Sequence, residues 1–264
     1  TTLFRSKLKI NDPLQPFQSS PVPTAVYPRI IVAWCLALPL FTNAQERFSP
    51  WVDSVYNSLT PGDRIAQLLI IRAYSAKDKT YEDSLTAIVR TYNPGGLCFF
   101  QGSPVRQATL VNRLQDSVRT PMIISIDAEW GLGMRLDSAF SFPRQIALGA
   151  VKNDSLIYKM GSIIGRDCRR MGIHFNFAPV ADINNNPRNP VIGFRSFGED
   201  REKVATKSIL YMKGMQDEGI LPTGKHFPGH GDTDFDSHYT LPLIHHDRKR
   251  LDSIELFPDR KSVV

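Results

Sequence analysis

Short apolar runs alternate along this chain with longer stretches of helical spacing, and that alternation leaves few architectures open. Gln67 to Ala73, with Leu-Leu-Ile-Ile at its centre, reads as a buried strand. Asp78 to Thr91 then shows helical spacing through Tyr81, Leu85, Ile88 and Val89. The turn Asn93-Pro94-Gly95-Gly96 leads into a strand at Leu97 to Phe100, and a helix follows over Val105 to Val118. The same order repeats. Met122 to Asp127 is a strand, Asp154 to Met171 a helix, Ile173 to Val180 a strand, Asp200 to Glu218 a helix and Leu221 to Lys225 a strand, with a last helix at Arg248 to Phe257. Ahead of the series, Leu59-Thr60-Pro61 supplies a cap and an N1 proline for a short helix. Strands separated by helices in this way predict parallel βα units, either a barrel or a doubly wound sheet. No Gly-x-Gly-x-x-Gly follows the first strand, which weakens the dinucleotide-binding version.

Composition removes several other classes. With 42% apolar and 22% charged residues the chain can bury a sizeable core, so it is not disordered. Three cysteines, Cys35, Cys98 and Cys168, are too few for a disulfide scaffold. The net charge of +6 invites a nucleic-acid reading, but lysines and arginines are scattered among acids and form no basic stripe. Much of that charge also lies at the ends. Arg5, Lys7, Lys9 and Arg29 against Asp12 leave residues 1–44 at +3, residues 259–264 carry +1, and residues 45–258 hold +2. No nucleic-acid partner is expected.

The termini read differently from the rest. Ile30 to Phe41 is an apolar run behind Arg29 and ahead of Thr-Asn-Ala-Gln, which predicts a signal peptide over 29–44 with cleavage after Ala44. The run is too short to span a bilayer, so no membrane span is expected after cleavage. Cys35 lies inside the run rather than just after it, against a lipoprotein site. Export to the bacterial periplasm or exterior follows. Residues 1–28 read as a leader, or as untranslated or adapter-derived sequence. Thr1 to Ser6 and Asp259 to Val264 back-translate to ACG ACG CTC TTC CGA TCT and GAT CGG AAG AGC GTC GTG, reverse complements offset by one base, which predicts that both are translated library adapter. The expected domain is therefore 45–258, with a suspected adapter tail at 259–264.

Polar residues end successive strands: Asp127 and Glu129, then Asp182 with Asn184 to Asn186, then Lys225 and His226. In a βα barrel the active site is assembled at those ends. The densest segment is Lys225 to Pro242, KHFPGHGDTDFDSHYTLP. Three chemistries compete for it. A calcium loop would use Asp232, Asp234 and Asp236, but Ser237 stands where glycine is needed and no glutamate follows at the twelfth place. A transition-metal site would use His226, His230 and His238, whose spacing falls on a Gly-Pro loop instead of a helix face. The third is a proton-transfer dyad, Asp236 with His238, in which the carboxylate fixes the imidazole tautomer and raises its basicity.

Lys225 to Pro242 resembles the signature loop of the glycoside hydrolase family 3 β-N-acetylglucosaminidases. The resemblance extends to SIDAEWGLGMRL at 125–136 and NFAPVADINNNPRNPVIGFRSFGED at 176–200, and it covers Phe48 to Phe257. It implies a (β/α)8 TIM-barrel-like α/β fold, incomplete at its C-terminus, since the alternation supplies about six strand candidates against eight in a full barrel. It implies retaining hydrolysis of terminal non-reducing N-acetyl-β-D-glucosamine from muropeptides or chitooligosaccharides, with no metal or other cofactor. His238 would be the general acid/base and Asp236 its partner. Asp127, Arg135, Arg195, Lys225 and His226 would bind the sugar, and Glu129 would support them. The family nucleophile, an aspartate on a later strand, would lie beyond this fragment, which would be inactive alone, and a further C-terminal domain is possible. Where family members read Asp-x-Glu-Gly-Gly-Arg, this chain has Asp127-Ala-Glu129-Trp130-Gly131-Leu132. Arg195 could instead form a structural ion pair with Glu199 or Asp200. Rival readings are a carbohydrate-binding pseudoenzyme, a β-glucosidase-like hydrolase and a metal-dependent hydrolase.

Overall fold

The computed structural model describes residues 49–262, so the expected leader at 1–28, the signal peptide at 29–44 and the last two residues of the suspected adapter tail lie outside the described residues. The chain divides into two units at Ser58/Leu59. In the first, α1 spans Pro50–Ser58 and buries none of its residues. The second carries the alternating elements. Thr60 caps α2 (Pro61–Ala66): its hydroxyl accepts from the Asp63 N–H while the Asp63 carboxylate accepts from the Thr60 N–H. There follow β1 (Ile70–Ala73), α3 (Lys79–Tyr92), β2 (Gly96–Phe99), α4 (Pro104–Gln115), β3 (Ile123–Ile126), α5 (Gln145–Gly149), α6 (Ser155–Arg170), β4 (Phe175–Asn176), α7 (Arg201–Gln216), β5 (Leu221–Pro222), α8 (Arg248–Ser253) and α9 (Phe257–Ser262).

The strands form one sheet in the order β1-β2-β3-β4-β5, every pair parallel. Sequential parallel strands with intervening helices are the winding of a βα barrel wall. Register sorts the side chains into layers. Leu97, Phe99, Ile124 and Ile126 are fully buried and belong to a core cluster with Leu85, Val89, Leu110 and Leu114 of α3 and α4. On the opposite face the register aligns Arg72, Cys98, Ser125, Phe175 and Leu221. The residues that follow each strand on that face are Tyr74, Phe100, Asp127, Phe177 and Thr223, so the first acid of the site stands one layer above the strands.

Three sequence expectations need correction. Five strands are present among the described residues, not about six. The two long strands expected at Ile173–Val180 and Leu221–Lys225 pair as strands over two residues each. Pro179 and Pro222 lack the N–H that a ladder needs. Beyond them the segments meet again at a bridge between Val180 and Lys225, where Lys225 N–H donates to the Pro179 carbonyl and Ala181 N–H to the Lys225 carbonyl. The helix expected at Arg248–Phe257 breaks at Ile254, and Pro258 sits in the first turn of the next one, where a missing N–H costs nothing.

The α6–α7 pair is packed closest. A Cβ on Gly161 would stand 2.3 Å from the Tyr211 carbonyl oxygen, and one on Gly214 2.3 Å from that of Tyr158. That approach drives Tyr211 fully into the core, where its hydroxyl donates to the Glu129 carbonyl at 3.0 Å. Lys207, also buried, reaches out of the same helix to the Asp154 carboxylate and the Val151 carbonyl.

At the start of β4, His174 Nδ1 accepts the Ile124 N–H at 3.0 Å, and burial pushes its pKa below the ordinary value of 6.5. Folding therefore favours the neutral ring, and the unfolded chain binds the extra proton. This contribution is present above about pH 6.5 and is lost as pH falls toward the lower folded-state value. Thermal unfolding should show the midpoint falling between pH 7 and about pH 5, and His174→Gln, which keeps an acceptor, should flatten that part of the profile. An unchanged slope in the variant would remove His174 as its source.

Candidate active site

The strand ends bring seven of the expected residues and one unexpected one into one chain of ion pairs and hydrogen bonds. Asp127, after β3, accepts from Arg135 Nη2 at 2.6 Å on one oxygen and from Lys225 Nζ at 2.7 Å on the other. Arg135 Nε also donates to the Asp127 carbonyl, so the two residues clasp each other across the short helical turn at 132–134. Lys225 Nζ lies 2.7 Å from Glu129 Oε1 as well. Glu129 receives Arg195 in a bidentate pair, Nη2 to Oε1 at 2.6 Å and Nε to Oε2 at 3.0 Å. Arg195 therefore does form an ion pair, with Glu129 of the site and not with Glu199 or Asp200; Asp200 instead caps α7. Arg195 Nη2 is 3.4 Å from His226 Nε2, and His226 Nδ1 is 2.6 Å from Asp182 Oδ2. With the guanidinium donating to Nε2, the imidazole proton sits on Nδ1 and is donated to Asp182.

Electrostatics explain why this chain holds. Burial alone would raise the Glu129 carboxyl, but hydrogen bonds and charge from Arg195 and Lys225 outweigh it and hold it below the usual carboxylate range. Burial would likewise lower Arg195, and Glu129, Asp127 and Asp182 push it up. Three carboxylates face three cations, so the cluster is close to neutral. Asp127, Arg135, Lys225, Arg195 and His226 each keep between 13% and 33% of the side chain open, whereas Glu129 is at 1%. The open groups can offer donors and acceptors to a neutral polyhydroxyl ligand, and the closed one holds them in place.

Tyr211 is the residue that sequence reasoning did not assign to the site, and Asp182, read there as a strand-end acid, had no role assigned. Asp182 is buried and accepts three hydrogen bonds: from the His226 N–H and Nδ1, and from the His230 N–H at 2.7 Å. Its position at a strand end was visible, but its partners lie more than forty residues away. Further along the loop, His230 contacts Thr233 and Ser237 through its two ring nitrogens. Asn189 donates to the His230 and Thr233 carbonyls, and Asn186 to the Asp234 carboxylate. A Cβ on Gly231 would stand 1.7 Å from the Ile183 carbonyl oxygen, so the first half of the loop lies directly on the segment after β4.

The second half projects outward. His238 Nδ1 is 2.6 Å from Asp236 Oδ1, the same oxygen that accepts the His238 N–H, and the imidazole is 75% exposed. Those two contacts hold the Asp236 carboxyl below its usual range. The three histidines weighed as metal ligands thus go to separate partners, and so do the three aspartates of the calcium reading. Asp232 belongs to a different group: its carboxylate, His246 Nε2 and a Glu255 oxygen lie within 4.8 Å of one another. Arg250 Nη2 already bridges Asp232 and Glu255, at 3.2 and 3.3 Å. A guanidinium therefore fills the position that a cation would need.

Residues 61–263 match the profile of the glycosyl hydrolase family 3 N terminal domain. The chain belongs to that family. A β-hexosaminidase A from Pseudoalteromonas piscicida is 36% identical over 192 residues, covering 68% of this chain and 32% of that protein. The β-hexosaminidase LpqI of Mycobacterium tuberculosis is 34% identical over 186 residues, covering 68% of this chain and 46% of its own length. A family 3 β-N-acetylglucosaminidase structure from Paenibacillus sp. str. FPU-7 superposes with a TM-score of 0.71 at 39% identity, over 78% of this chain and 40% of that one. This family 3 chain thus spans half or less of those relatives, and its sheet is a partial TIM-barrel-like domain. Among the described residues no helix is long and apolar enough to cross a membrane.

Asp182→Ala in this family 3 domain would leave three donors without their acceptor. Urea unfolding should show a loss of about 3 kcal/mol, and a variant within about 0.5 kcal/mol of wild type would mean that water or another acceptor replaces the carboxylate.

Proposed function

We propose that the complete protein carrying this domain releases terminal non-reducing N-acetyl-β-D-glucosamine from muropeptides or chitooligosaccharides, as an exported bacterial β-N-acetylhexosaminidase. The observation that carries this reading is the His238–Asp236 pair on the loop rooted beside the Asp127–Lys225–Glu129–Arg195 chain. Relatives named β-hexosaminidase at 34–36% identity support it. In this reading Asp127 accepts hydrogen bonds from hydroxyls of the sugar ring, Arg135 and Lys225 orient that carboxylate, and Arg195 and His226 complete the pocket.

Asp236 accepts the Nδ1 proton of His238, which leaves Nε2 as the atom that exchanges a proton with the substrate. His238 gives that proton to the leaving oxygen as the glycosidic bond breaks, then takes one from water as the sugar departs. Retention requires a second group on the other face of the ring, a nucleophile that forms and then releases a glycosyl ester. An aspartate C-terminal to Val264 would supply it. No step of this mechanism needs a metal.

Turnover of p-nitrophenyl N-acetyl-β-D-glucosaminide by the complete protein tests the proposal. His238→Ala should lower kcat on a natural disaccharide by about 10²- to 10⁴-fold with KM changed far less, and Asp236→Asn should lower it less while moving the pH profile. Full activity in His238→Ala would exclude the imidazole as acid/base.

A further inference from the structure

Trp130 departs from the family motif, and it is not alone. The Arg144 guanidinium carbon lies 3.3 Å from the centroid of the Trp130 ring and 5.3 Å from that of Phe194. Trp130 directly follows Glu129, and Phe194 directly precedes Arg195, so both rings are carried by the neighbours in sequence of the bidentate ion pair of the site. Arg144 is tied to the same place from its own side. Its neighbour Gln145 exchanges two hydrogen bonds with the backbone of Val180, Nε2 to the carbonyl at 2.8 Å and N–H to Oε1 at 3.1 Å, just before Asp182.

The guanidinium itself is unspent. Arg144 is exposed, its side chain does not cap α5, and its guanidinium makes no hydrogen bond or ion pair to any described residue. The neighbouring cations of the site, Arg135, Lys225 and Arg195, all have carboxylate partners. Stacking on aromatic faces leaves the in-plane N–H donors of a guanidinium free and lowers the rotamer entropy lost when it binds. The face of the indole is covered by this cation, so the group offered to a ligand is a charged fork and not a ring for a sugar to stack on.

We propose that Arg144, held by Trp130 and Phe194, is a specificity residue that receives a carboxylate on the leaving-group side of the substrate. This rests on the proposed hexosaminidase reading: the terminal sugar fills the pocket, and what lies past the rim is the leaving group. The fork geometry fits a carboxylate through two parallel N–H···O bonds. The domain would then favour a leaving saccharide that bears an acid over a neutral one.

The test compares kcat/KM of the complete protein for GlcNAc-β-1,4-N-acetylmuramic acid and for N,N′-diacetylchitobiose. Arg144→Gln should lower the acidic-to-neutral ratio about tenfold, with Arg144→Lys between it and wild type. The wild-type ratio should also fall as NaCl is raised, a measurement that stands if the variant fails to fold. A ratio that Arg144→Gln leaves unchanged, or a wild-type ratio indifferent to salt, overturns the subsite while leaving the hexosaminidase reading in place. Turnover of neither disaccharide overturns both.

Discussion

The ion pairs that link Asp127, Arg195 and Lys225 at the carboxyl end of this sheet are organised around one buried carboxylate. Glu129 is closed to solvent, and a charge there is tolerable only if opposite charge and hydrogen bonds replace the lost water. Arg195 and Lys225 do so, and they come from different parts of the chain: one from the turn at 193–195, the other from the segment after β5. The requirement to neutralise Glu129 therefore draws three connections together. Because Lys225 is shared with Asp127, and Arg195 touches His226, satisfying the buried acid also fixes the groups that remain open. Beneath it, the Tyr211 hydroxyl holds the Glu129 backbone, and Tyr211 is placed by the close glycine contact between α6 and α7. A packing constraint between two helices thus reaches the polar cluster through one phenol.

The elements that were legible in the sequence are those whose signal is local. The cap at Thr60, the helix starts at Asp78 and Asp200, the apolar centres of β2 and β3, and the long amphipathic α6 all follow from spacing and nearby residues. What was misread depended on the backbone inventory. Pro179 and Pro222 do not make their segments less apolar, so an apolar run suggested strands longer than the paired ladder. The site divides in the same way. Residue types and the family resemblance pointed to Asp127, Lys225, His226 and the Asp236–His238 pair. The partner of Arg195 is Glu129, sixty-six positions away, and the partners of Asp182 are on the next strand's loop. No spacing rule relates such residues, and the alternative ion pair read for Arg195, with Glu199 or Asp200, gives way to Glu129.

The loop at 225–242 illustrates how one segment can carry two mechanical roles. Its first half is bonded at His226, His230, Thr233 and Asp234 to the chain that follows β4, and Gly231 has no room for a side chain. Its second half presents Phe235, His238, Tyr239 and Leu241 to solvent, with Asp236 bonded within the turn. Asp127, Glu129, Arg195 and Lys225 are therefore held at strand ends by buried charge, while the Asp236–His238 pair is bonded within its own turn, beside the Ser237 contact with His230. An Asp-x-His element makes that possible. The carboxylate that contacts the ring lies on the same turn, two residues before it.

The same logic bears on where this chain leaves the family motif. Replacing the first glycine of a Gly-Gly pair by Trp130 beside a buried acid puts a large ring at the edge of a polar site, which needs an energetic reason if the ring is not buried. Arg144 supplies one: a weakly hydrated cation stacks on the indole at 3.3 Å, and Phe194 adds a second face. Stacking satisfies the ring but not the guanidinium, whose hydrogen-bonding edge has no partner among the described residues. Within a site whose other arginines are each engaged by a carboxylate, the charge that is oriented but unpaired is the one whose partner is most naturally brought by the substrate.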